Sequence, residues 1–73
     1  MWEALQKAFE EPDGFTVIFY LSGGMKFNVA MSPPNFGRLN DGKQKAFIVE
    51  DIERDRKQMT IFVDAIVAYE IEY

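Results

Sequence analysis

The chain contains no cysteine and no histidine. The first absence excludes any disulfide. The two together remove the thiolate and imidazole ligands that usually hold zinc, and they exclude Ser-His and Cys-His nucleophile pairs. Serine is scarce as well, with only Ser22 and Ser32 present. No catalytic residue, no metal-ligand set and no cofactor is therefore expected, and the chain reads as a non-enzyme. Positive charge is also in deficit: Lys plus Arg is 8 against 12 for Asp plus Glu, a net charge of −4. Extensive contact with a phosphate backbone needs clustered cations, so this balance disfavours RNA as a partner. Long apolar runs are missing too. The longest, residues 17–21 and 65–69, fall far short of the roughly 20 residues that span a bilayer. Met1-Trp2-Glu3 does not open with a basic region followed by an apolar stretch, as a leader would. The expectation is a cytoplasmic protein without membrane contact, a setting that absent cysteine also fits.

What is present is the composition of a folded domain. Of 73 residues, 48% are hydrophobic and 27% charged, which supports a single domain over residues 1–73 rather than a disordered chain. A core this small barely offsets chain entropy, and small domains often lean on a disulfide, a metal or a partner subunit. The first is excluded and the second lacks its usual ligands. Seven Phe, three Tyr and one Trp supply much apolar surface for so short a chain. A homo-oligomer is expected, with a further protein partner as an additional expectation.

Periodicity gives the elements. Trp2, Leu5 and Phe9 recur at spacings of three and four and predict a helix over residues 1–11, stopped by Pro12-Asp13-Gly14. Strands are expected at about 15–22, 25–32, 45–52, 58–64 and 66–72. The first two form a hairpin around Ser22-Gly23-Gly24. The second alternates cleanly, with Met25, Phe27, Val29 and Met31 on one side and Lys26, Asn28, Ala30 and Ser32 on the other. Residues 32–44, with Pro33-Pro34-Asn35, read as a long loop. In the later strands Met59, Ile61, Val63, Val67, Tyr69 and Ile71 are expected to face inward. The predicted fold is mainly β with one N-terminal α-helix: a five-stranded, strongly bent antiparallel sheet or small barrel, mostly a meander. A flat sheet with the helix on one face is the alternative.

Two segments carry a resemblance. Residues 17–27, Val-Ile-Phe-Tyr-Leu-Ser-Gly-Gly-Met-Lys-Phe, pair an alternating strand with a Gly-containing turn and an apolar-Lys-apolar step. Residues 61–71, Ile-Phe-Val-Asp-Ala-Ile-Val-Ala-Tyr-Glu-Ile, place two strands around a very short turn. With the preceding helix, this layout resembles the Sm-like family of small β-barrels (Sm-like or SH3-like in shape), which includes bacterial ring-forming RNA chaperones. The resemblance implies the fold and a ring-type assembly.

Three groups of side chains are candidates for function. Glu50, Asp51, Glu53 and Asp55 are carboxylates, but alternation sets Glu50 and Asp51 on opposite faces, and Arg54, Arg56 and Lys57 are interleaved with the rest. A solvated turn is expected. Arg38, Lys43 and Lys45 lie near Phe36 and Phe47, a mixture suited to single-stranded nucleic acid, with charges on phosphates and rings on bases. The third group is the second side of the first strand: Thr16, Ile18, Tyr20 and Ser22 carry two large apolar side chains and no charge. A solvated side would carry charge, so a cover is expected, either the helix or another subunit. Phe62 presents the same oddity on the fourth strand. Ile18, Tyr20 and Phe62 are therefore the expected oligomer interface. The leading function is a self-assembling interaction module that binds other macromolecules; the alternative is an Sm-like RNA-binding ring.

Overall fold

A computed structural model describes residues 1–73. Helix α1 (Glu3–Ala8) is followed by strands β1 (Thr16–Leu21) and β2 (Lys26–Ala30), helix α2 (Pro33–Asp41), and strands β3 (Ala46–Asp51), β4 (Lys57–Phe62) and β5 (Ile66–Glu72). Short 3-10 turns, Ile52–Arg54 and Val63–Ala65, join the last three strands. All five strands are antiparallel in one sheet with the order β4-β3-β2-β1-β5.

The first four strands form a meander, but β5 returns to pair with β1 instead of β4. The sheet therefore stays open: β4 and β5 each keep a free edge. The backbone N–H of Ser22 donates to the Ala65 carbonyl at 2.8 Å, tying the β1 turn to the approach of β5.

Alternation divides the sheet as the sequence predicts. Val17, Phe19, Val29, Phe47, Val49 and Ile61 point to one face and are buried together with Leu5 of α1 and Leu39 of α2. Both helices thus cover the same side, and they meet where Phe9 and Phe36 approach to 5.3 Å between ring centroids. Trp2 packs on Phe19 and Tyr69, at 6.4 and 5.0 Å, and anchors the start of α1 over β1 and β5. The other face, called the outer face below, carries neither helix.

Three expectations need correction. Helix α1 is shorter than residues 1–11, because the N–H groups of Glu10 and Glu11 bond three residues back, to Lys7 and Ala8 (3.0 and 3.1 Å), tightening the chain into a turn before Pro12. The loop expected at 32–44 contains α2. Ser32 is its N-cap and accepts from the Asn35 N–H at 3.3 Å; prolines occupy the first two helical positions, where no intrahelical N–H bond is lost; Gly42 ends it with φ of 72°. Val67, expected to face inward, is 66% exposed. The β1–β5 register slips there: Tyr20 pairs with Ala68 and Leu21 with Ile66, so Val67 is left without an opposite residue.

Candidate functional site

The outer face begins with the even-numbered side chains of β1. Ile18 stands opposite Asn28 on β2 and Glu70 on β5, and Tyr20 stands opposite Lys26 and Ala68. The Tyr20 hydroxyl donates to the Glu70 carboxylate, and this bond to an anion raises the phenol above its usual value of 10.0. Because α1 packs on the opposite face, no helix covers Ile18 or Tyr20; both are half-buried by neighbouring strands. Phe62 is 62% exposed and lies opposite Ala46, next to the pair of Ile48 and Thr60. Strands β2 and β3 separate it from Ile18 and Tyr20, so the three residues share a face without forming one patch.

The two central strands of that face diverge. β2 pairs with β3 at two positions only, Val29 with Asp51 and Ala30 with Glu50, while β4 pairs with all six residues of β3. A cleft of about 380 Å³ opens beside the divergence, lined by Ala30, Ser32, Asn35, Ile48, Glu50 and Gln58 among others.

The proposed nucleic-acid residues are not brought together as a stacking site. Phe47 is 4% exposed, with its ring edge-on to Phe19 at 5.9 Å, so it belongs to the core and cannot stack on a base without leaving it. Phe36, on α2, is half-buried against Phe9. Arg38, Lys43 and Lys45 are exposed, and the Arg38 guanidinium donates to Asn35 Oδ1 at 2.8 Å.

The acidic group behaves as a turn. Asp51 is 3% exposed and accepts from the Glu53 N–H at 3.1 Å, capping the 3-10 turn, with the Arg54 guanidinium 4.0 Å away. Glu50, on the opposite face, pairs with Arg56 at 3.2 Å. No three carboxylates converge in a way that would hold a metal ion, and no helix is long and apolar enough to cross a membrane.

The free edges were beyond the reach of sequence reasoning. β5 offers seven residues without proline or lysine, and its start is flanked by an apolar hollow of about 400 Å³ formed by Met1, Trp2, Ile66, Val67, Ala68 and Tyr69. β4 begins beside Arg56 and Lys57 and ends at Phe62. No protein-family model, curated protein or solved structure matches the chain.

Proposed function

We propose that the chain is a non-enzymatic interaction module of the cytoplasm that joins copies of itself edge to edge and presents the assembled outer faces to other macromolecules. The observation that carries this reading is the pair of free edges of complementary charge, β4 with the single lysine Lys57 at its start and β5 with neither lysine nor proline. An exposed edge is a row of unpaired N–H and C=O groups, and proteins normally blunt such edges with proline, lysine or a covering segment. Antiparallel docking of β4 on β5 of a second copy sets Arg56 and Lys57 against Glu70 and Glu72. The same alignment sets Phe62 against Val67, both exposed, with half-buried Ile66 beside them. Like edges docked on themselves would lack this match of charge. Because the two edges differ, the contact is heterologous and repeats from copy to copy, closing into a ring or running on as a filament.

Light scattering coupled to size exclusion tests it. The expected mass at micromolar concentration exceeds that of the single 8.5 kDa chain. Arg56→Glu and Glu72→Lys should each lower the mass, and the double variant should restore it. A clean monomer up to high concentration overturns the reading.

The second reading, an Sm-like RNA-binding ring, draws on the exposed cations Arg38, Lys43 and Lys45, with half-buried Phe36 on the same helix as Arg38. Net charge opposes it, and weak binding of U-rich and A-rich oligonucleotides is expected by fluorescence anisotropy. Sub-micromolar affinity at about 150 mM salt would promote this reading over the first.

A further inference from the structure

The ladder between β2 and β3 stops once Ala30 has paired with Glu50. Along β3 the bonded side alternates. The Val63 N–H donates to the Lys45 carbonyl at 2.8 Å, so Lys45, Phe47, Val49 and Asp51 bond toward β4. Ala46, Ile48 and Glu50 therefore turn their N–H and C=O groups toward β2. The register continues to Ser32 opposite Ile48, but Ser32 has left the ladder to start α2. Its carbonyl accepts from the Phe36 N–H at 2.9 Å and its hydroxyl oxygen from the Asn35 N–H at 3.3 Å. Two residues on, the register reaches Pro34 opposite Ala46, and proline has no N–H to give. No side chain replaces either partner.

The main-chain donor and acceptor of Ile48 thus face the cleft of about 380 Å³ beside the divergence, and Ile48 itself is 53% exposed. Backbone groups of this kind are met by another backbone or by water. The open stretch runs only from Ala46 to Ile48, too short an edge for the strand of a folded second copy and long enough for a few residues of extended chain. No aromatic ring lines the cleft, so it offers a base nothing to stack on. Its charge is uneven. Glu50 is held by Arg56 at 3.2 Å, whereas Arg38, which donates to the lining residue Asn35, has no carboxylate partner. Lys45, just before β3, has none either.

We propose that this slot takes a short extended segment of a partner protein, which adds as a strand to β3 at Ile48 and carries a carboxylate at the Arg38 end. This site rests on reading the chain as an interaction module and not on edge-to-edge assembly, since all its residues belong to one chain.

Amide exchange and nitrogen-15 NMR on the intact chain test the proposal. In the free chain the Ile48 N–H should exchange faster than those of Phe47 and Val49, which bond to β4. The probe is the capped peptide acetyl-Thr-Val-Glu-Val-Glu-amide. It should give saturable shifts of the Ile48 amide and the Gln58 side-chain amide, and should slow exchange at Ile48. An analogue with lysine for both glutamates should bind about tenfold more weakly, and Arg38→Gln should weaken the acidic peptide by a similar factor while leaving the lysine analogue unchanged. An analogue N-methylated at every residue has no donor for a ladder and should not bind. Slow exchange at Ile48 in the free chain, equal binding of the N-methylated peptide, or no shift with any peptide would overturn the proposal. So would a U-rich oligonucleotide that moves these signals when the acidic peptide does not. Light scattering on the same samples reports self-assembly separately, so loss of one result leaves the other standing.

Discussion

Tyr20 on β1 reaches diagonally across the outer face to Glu70 on β5, its hydroxyl donating to the carboxylate. The register places Tyr20 opposite Ala68, so the long phenol lies over a small residue and meets the side chain two positions on.

A pH dependence follows. The bond to Glu70 favours the neutral phenol and raises its folded-state value above 10.0, with burial and the charges of Glu70 and Glu72 adding to the shift. The sign is that of a raised group. Its contribution is complete below the usual tyrosine value and is lost as pH climbs through the higher folded value. Absorbance of the phenolate, with Tyr20→Phe to subtract Tyr69 and Tyr73, should show Tyr20 ionising above the usual range. Glu70→Gln should bring it back down. A titration unchanged by Glu70→Gln would separate the two residues.

A second expectation contrasts neighbours on β1. Phe19 is fully buried between α1 and the sheet. Phe19→Ala should cost roughly 3–5 kcal/mol, a large share of the ~5–15 kcal/mol typical of a domain. Ile18→Lys, on the outer face, should leave the circular dichroism β-rich and the melting transition cooperative. Equal loss of structure in both variants would place Ile18 in the core.

Helix α2 yields a third. Gly42 closes it at φ 72° with open space where a Cβ would lie. Gly42→Ala therefore carries backbone strain without a clash and should cost about 1–2 kcal/mol. Ser32→Ala removes the N-cap acceptor and should cost about 1 kcal/mol. Denaturant melts of the two single variants and the double variant should show nearly additive losses, since the sites lie at opposite ends of the helix.

Much of this fold was legible in local pattern. Period-two alternation located all five strands to within a few residues and put Val17, Phe19, Val29 and Ile61 on the buried face, because side-chain direction along a strand depends on the strand alone. Glycines at 23 and 24 marked the β1–β2 turn, and both adopt positive φ. The N-cap serine, the two prolines and the closing glycine of α2 were visible too. Its apolar stripe is only Phe36 and Leu39, however, too short a period to outweigh the turn-forming residues around it.

Strand partnership was settled only in three dimensions. Alternation says which residues share a face and is silent on which strand lies beside which, since pairing is decided by how two helices and five strands bury one common face. Docking of Trp2 and Leu5 over β1 and β5, together with the return of β5 to β1, leaves β4 and β5 with free edges and the sheet open. The same packing sends Phe47, a candidate for stacking on a base, into the core, while Phe62 stays on the outward side that alternation had already given it. It also gathers Ala30, Asn35, Ile48 and Gln58, from three strands and a helix, around one cleft. Residues far apart in the chain meet only after the core has chosen their strands' neighbours, and so the sequence determined the elements and their faces while tertiary packing decided the edges and the cleft.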